Sequence, residues 1–166
     1  MIAKASWLRI SRVLFTVFGL PAHPLIVHAV VVLIPLATLG AVAVAVRPGW
    51  NRAYGPLVAA GALVGAVTAT LAMFAGNELA AAITVSPEYV ELIAEHGQSG
   101  LWTVIAAWVF GPLAIVAAAL GRRDRAGAGP RVLNWISAVA GLLATAIVIR
   151  TGDLGATSVW MHVTGG

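Results

Sequence analysis

The residues of this chain that could bind a metal or a cofactor are its four histidines, His23, His28, His96 and His162. The chain has no cysteine, so thiolate ligands and cysteine nucleophiles are excluded. A b-type haem needs axial ligands, often two histidines from facing helices, within an apolar cage. A zinc or copper site needs three or four nitrogen or oxygen ligands in tight geometry. Haem or transition-metal binding is therefore the chemistry to consider.

His28 and His96 are the expected haem ligands, because they lie on different elements of the chain. A metal ion could be bound by the same two histidines together with His162 and a carboxylate. His23 precedes His28 by five residues, which turn a helix by about 500°, so their rings would not share a face. His23 is thus a separate candidate for cofactor binding. The alternative for His28 is a helix-end imidazole that reaches interfacial water or a carbonyl.

Composition indicates that lipid surrounds the chain. Hydrophobic residues make up 60% of the sequence and charged residues only 10%, against about 25% charged in soluble domains. Four apolar segments reach the roughly 20 residues that cross a bilayer, at 25–46, 55–74, 101–120 and 132–150. Their connections are short, which predicts antiparallel neighbours. We therefore expect an all-α integral membrane four-helix bundle, formed as a single domain by residues 23–166.

The positions of the basic residues predict the orientation in the membrane. Cytoplasmic loops are rich in Lys and Arg, and the first and third loops hold Arg47, Arg52, Arg122, Arg123, Arg125 and Arg131. The middle loop is predicted at 75–100, with a short surface helix at 87–96, and it holds none. The alternative is that the second helix continues past Asn77 and Glu78. Both termini and all four histidines should then be non-cytoplasmic. A nucleic-acid partner is rejected despite the net charge of +4, because these residues separate apolar segments.

Residues 1–22 form a separate amphipathic segment. Arg9, Arg12 and Thr16 share one helical face over 7–20, and apolar residues occupy the rest. We expect an interfacial helix lying on the membrane. A signal peptide is an alternative, since a basic start precedes a short apolar run. A fifth span is the third option, although residues 13–20 are too few to cross the bilayer.

Polar residues near the histidines allow two interpretations. Arg150 could pair with Asp153 three residues later or with Glu78 across helices. In the first interpretation these residues form interfacial salt bridges and helix caps. In the second interpretation they line a polar pocket around a cofactor or a quinone head group. Nine arginines against one lysine, with abundant alanine, are typical of a GC-rich bacterial genome, so we expect the bacterial plasma membrane.

Three motifs resemble a known family. Residues 23–31, His-Pro-Leu-Ile-Val-His-Ala-Val-Val, resemble the His-Pro-x-x-x-His opening of the bacterial membrane family "domain of unknown function 2231". Glu95-His96-Gly97 resembles a histidine site before the third helix of that family. Residues 150–156 resemble its closing Thr-Gly-His-x-Gly signature, with Asp153 in place of the histidine. If that histidine is a cofactor ligand, this chain has lost it or Asp153 binds a different metal.

The family is similar to small b-type cytochromes and is sometimes joined to Rieske-type domains, which implies redox work by association. We therefore expect a redox or cofactor-binding membrane subunit that is not an enzyme, carrying a b-type haem or a metal at the non-cytoplasmic end. The alternative is a structural accessory subunit, without its own cofactor, of a larger respiratory-type membrane complex. No nucleophile-and-base motif or glycine-rich phosphate loop indicates catalysis. Charges are absent from the helix centres, which disfavours ion transport.

Overall fold

The computed structural model describes residues 16–123 and 127–164, and these form four long helices. They are α1 (His23–Val46), α2 (Asn51–Ala82), α3 (Val90–Arg123) and α4 (Ala128–Thr164). Each helix packs on the next along the chain, and α4 also packs on α1. Short connections and this closed ring of contacts give an antiparallel four-helix bundle. The expected all-α fold is confirmed.

The outside of the bundle is apolar. Leu36, Leu39, Leu57 and Leu143 are each more than 60% exposed. All four helices are long and apolar enough to cross a membrane, and such a surface on a soluble protein would cause aggregation. The chain is therefore a multi-pass integral membrane protein, and lipid contacts this surface.

The inside of the bundle is made mostly of small side chains. Alanines such as Ala62, Ala66 and Ala107 are fully buried, and Phe110 and Ile34 are the large apolar side chains that fill the remaining space. Small residues let helix backbones approach closely in lipid, where burial of apolar surface supplies little driving force. The predominance of alanine therefore accounts for the tight packing of the four helices.

The helices are longer than the apolar segments that predicted them. At 1.5 Å per residue, the 37 residues of α4 span about 55 Å, whereas the hydrocarbon core is about 30 Å thick. The connection is shorter than the loop expected at 75–100, because α2 continues past Asn77 and Glu78 to Ala82, as the alternative had it, and α3 begins at Val90. The expected surface helix at 87–96 is instead a 3₁₀ turn, Pro87–Tyr89, followed by the start of α3. Hydropathy marks where the lipid core ends, but polar residues can continue a helix beyond it.

The N-terminal helix expected over 7–20 is wrong in its described part. Strands β1 (Thr16–Val17) and β2 (Leu20–Pro21) form a small antiparallel hairpin. Phe18 and Gly19 connect them with φ angles of 51° and 80°. Two positive φ values are typical of a tight hairpin turn, and glycine adopts them without steric cost. Residues 1–15 lie outside the described part, so their interfacial, cleaved or spanning state stays a prediction.

Candidate functional site

Two histidines meet at one end of the bundle, which we name the histidine end. Because neighbouring helices are antiparallel, α1 and α3 begin at this end, while α2 and α4 finish there. His23 is the first residue of α1, and His96 lies in the second turn of α3. The opposite end, which carries Arg47 and Arg122, is named the arginine end. The fold therefore brings two sequence-distant imidazoles to the same level of the bundle.

His23 is fixed by a hydrogen bond to α2. Its Nδ1 lies 2.8 Å from the carbonyl oxygen of Ala72, and a carbonyl can only accept, so Nδ1 donates. In the neutral imidazole this leaves Nε2 with a free lone pair. The ring lies against Gly76, where an added Cβ would be 2.9 Å from Cε1 and Nδ1 of His23. Gly76 thus provides the space that the imidazole occupies.

His96 is fixed in the same way to α4. Its Nδ1 donates to the carbonyl oxygen of Thr151 over 3.0 Å, which again leaves the Nε2 lone pair free in the neutral ring. A Cβ added at Gly155 would lie 2.9 Å from Cε1 of His96. In both cases the glycine follows the accepting residue by four positions, one helical turn. The helix pairs α1–α2 and α3–α4 therefore hold their histidines by equivalent contacts.

The two imidazoles contact each other between the helix pairs. Their ring centroids are 6.1 Å apart and their planes are nearly perpendicular, at 89°. A metal ion bound by Nε2 lies about 2.0–2.1 Å from that nitrogen, hence roughly 3.2 Å from the ring centroid. Two imidazoles on one ion can therefore have centroids up to roughly 6.4 Å apart. The His23–His96 separation lies within that limit.

Two hydroxyl groups and a backbone carbonyl hold the side chain of Thr151 next to His96. Thr151 Oγ1 lies 2.6 Å from Ser99 Oγ and 2.9 Å from Thr103 Oγ1, and it donates to the carbonyl oxygen of Ile147. Ser99 and Thr103 are buried. Hydrogen bonds between helices hold polar side chains in place within lipid. This hydroxyl cluster therefore aligns α3 with α4 beside the carbonyl that accepts the hydrogen bond from His96.

Two other predicted ligands, His28 and Asp153, lie outside this pair. His28 is exposed on α1, and its Nδ1 donates to the carbonyl oxygen of Pro24 in the same helix over 2.6 Å. Asp153 is exposed on α4. It is two residues from both Thr151 and Gly155, about 200° around the helix, so it faces away from His96. His162 lies in the last turn of α4.

The charged residues of the histidine end form an ion pair on the surface. Arg150 donates to Glu95 over 2.7 Å, and both side chains are largely exposed. The sequence predicted Asp153 or Glu78 as the partner of Arg150, whereas this ion pair is made with a carboxylate on the facing helix α3. Among the described residues no group of three or more His, Asp or Glu side chains is positioned to hold a metal. The His23–His96 pair is thus the ligand arrangement that this part of the chain supplies.

Sequence reasoning paired His96 with His28, whereas the structure places His23 beside it. The five-residue spacing of His23 and His28 indicated that the two histidines lie on different faces of the first helix. It did not indicate which of these faces points into the bundle. Gly155 was visible in the closing signature, four residues after Thr151, and this spacing could have indicated the His96 contact. No comparable signal identified Gly76.

Comparison with known proteins gives one result. Curated proteins give no match, and solved structures give none either. The model of the family described as predicted membrane protein (DUF2231) matches residues 19–166, which include all four helices. The resemblance carried by the three motifs is therefore confirmed. The chain belongs to the DUF2231 family of predicted membrane proteins.

Proposed function

We propose that this protein is a redox or cofactor-binding membrane subunit whose site is the His23–His96 pair. The observation that carries the proposal is that both Nδ1 atoms donate to backbone carbonyls, while the rings lie 6.1 Å apart. Histidine ligands of metals are commonly oriented in this way, by a hydrogen bond from the nitrogen that does not bind the metal. The site would face the non-cytoplasmic side of a bacterial plasma membrane, with the arginine end in the cytoplasm.

The two candidate cofactors place different demands on the pair. A b-type haem would be held by His23 and His96, because two histidines are a sufficient set of protein ligands for its iron. A single zinc or copper ion needs one or two ligands more, which water or another subunit would supply. Haem or a redox-active metal would supply one-electron transfer when bound. The role of this chain would be to orient both imidazoles through hydrogen bonds to the carbonyl oxygens of Ala72 and Thr151, which leave the Nε2 lone pair of each neutral ring available to the cofactor.

The test is made on the purified full-length protein in detergent. Reduced-minus-oxidised optical spectra detect haem, and elemental analysis detects a bound metal. His23→Ala and His96→Ala should each abolish the signal, because each removes one of the two ligands. His28→Ala is the matched control and should retain the signal, because that ring is exposed and bonded only within α1. Neither a haem band nor a stoichiometric metal in the wild-type protein would remove the proposal.

A structural accessory subunit is the second candidate, and the same contacts favour it. Each imidazole joins two helices, α1 to α2 or α3 to α4, and fills the space above a glycine. In this case His23→Ala and His96→Ala lower the stability of a protein that carries no cofactor. The apolar outer surface would then contact other membrane subunits as well as lipid. Co-migration of the wild-type chain with a respiratory-type complex on native gels, with no cofactor signal, would support this role.

A further inference from the structure

Buried polar side chains also lie at the arginine end, far from the histidines. Asn51, the first residue of α2, is 1% exposed, and Asn134 on α4 is 3% exposed. Asn51 Nδ2 donates to Asn134 Oδ1 over 3.1 Å and to the carbonyl oxygen of Ala117 over 3.2 Å. These bonds connect α2 to both α3 and α4. The amide of Asn51 is therefore held in one orientation by two acceptors.

Two polar atoms near these asparagines lack protein partners. Among the described residues, Asn51 Oδ1 and Ser137 Oγ are the buried side-chain atoms without a hydrogen bond. Ser137 is 2% exposed, and it lies on α4 one turn after Asn134. A buried polar atom left without a hydrogen bond costs about 1–3 kcal/mol. Two such atoms in a lipid-embedded bundle indicate a ligand that bonds to both.

Both atoms belong to residues that line one small cavity. Its volume is about 10 Å³, close to the minimum that one water molecule requires. The lining consists of Asn51, Asn134 and Ser137 together with small apolar residues, and no charged side chain lines it. The size and neutrality of the cavity match a water molecule better than a cation, which would need several oxygen ligands.

We infer that this cavity binds one water molecule that bridges α2 and α4. The water donates a hydrogen bond to Asn51 Oδ1, which is an acceptor only, and bonds to the Ser137 hydroxyl, which can donate or accept. Buried waters typically make two to four such bonds and are costly to remove. The bridge completes the polar contacts of the asparagines and joins the two helix pairs at the arginine end.

The effect of Ser137→Ala on the unfolding equilibrium constant tests this inference, because the two alternatives predict changes in different directions. If Ser137 Oγ bonds to the water, Ser137→Ala weakens the bridge and raises the unfolding equilibrium constant about tenfold. If that hydroxyl has no partner, the substitution removes an unsatisfied group and leaves the constant unchanged or lower. Ser158→Ala is the matched control on α4, because Ser158 Oγ bonds locally to the carbonyl oxygen of Gly155. The unfolding equilibrium constant of each variant is measured by titration with a denaturing detergent in mixed micelles.

A double-mutant cycle identifies the partner of Ser137. With Asn51→Leu, which has a similar shape but no amide, the effect of Ser137→Ala should disappear, because the water has lost its acceptor. Additive effects would overturn the bridge. A wild-type structure that resolves waters provides a test independent of variant folding. Density within about 2.6–3.2 Å of both oxygens is expected, whereas a direct Asn51–Ser137 hydrogen bond, no density, or a stability that depends on sodium concentration would overturn the inference.

Discussion

The contact between His96 and Gly155 gives a prediction that can be worked out from distances. In Gly155→Ala the new Cβ would lie 2.9 Å from Cε1 and 3.3 Å from Nδ1 of His96. Ordinary contact between a Cβ and a ring atom begins at about 3.4 Å. The ring must therefore move by roughly 0.5 Å, which stretches its 3.0 Å bond to Thr151 toward the limit of hydrogen bonding, about 3.5 Å.

The expected magnitude is the balance of two effects. Loss of the hydrogen bond lowers the free energy of unfolding by about 0.5–1.5 kcal/mol. Alanine in place of glycine within a helix raises it by about 0.5–1 kcal/mol. Gly152→Ala isolates the second effect, because nothing lies within 4 Å of a Cβ at Gly152 on the same helix. Gly155→Ala should thus be less stable than Gly152→Ala by about 1 kcal/mol.

Unfolding in mixed detergent micelles measures this difference, and the NMR resonances of His96 report the ring directly. The His96 signals should shift in Gly155→Ala and remain in place in Gly152→Ala. Equal stability of the two variants, with unchanged His96 resonances in both, would refute the contact between His96 and Gly155.

Two further predictions concern the bundle as a whole. Gly141→Ala should lower the free energy of unfolding by about 1–3 kcal/mol, because its Cβ would lie 2.8 Å from Thr38 Oγ1 and 3.0 Å from the Phe110 ring. Unfolding in mixed detergent micelles measures this change. An effect equal to that of Gly152→Ala would contradict the prediction. A topology reporter fused after Gly166 should be found on the non-cytoplasmic side of the membrane. A reporter found in the cytoplasm would contradict the orientation that the arginine-rich loops predict.

The sequence predicted the four helices because lipid imposes a simple condition on them. A crossing segment needs about 20 apolar residues, and this chain contains four such runs separated by short polar connections. Helix ends were predicted less well, because hydropathy alone starts the third helix near Leu101, while α3 begins at Val90. Likewise, the apolar face at 7–20 does not reveal that Phe18 and Gly19 form a turn.

The histidine pair could be predicted only in part. Topology placed His23, His28 and His96 near one end, since α1 and α3 begin on the same side. Which ring points inward depends on the rotation of each helix about its own axis. That rotation is set by packing of small residues such as Gly76 and Gly155, which are frequent throughout the chain and carry little positional information. Asn51 was missed for a different reason, because it falls in the predicted first loop, whereas the structure places it at the start of α2.

The hydrogen bonds between helices connect different helix pairs at the two ends of the molecule. At the histidine end, the bonds of His23 and His96 stay within the hairpins α1–α2 and α3–α4. At the arginine end, the bond between Asn51 and Asn134 connects one hairpin to the other. The distance between the two rings is therefore set by the packing of α1 on α4 and of α2 on α3, and not by either imidazole bond. A substitution in those interfaces would change the ring separation while each imidazole keeps its own hydrogen bond.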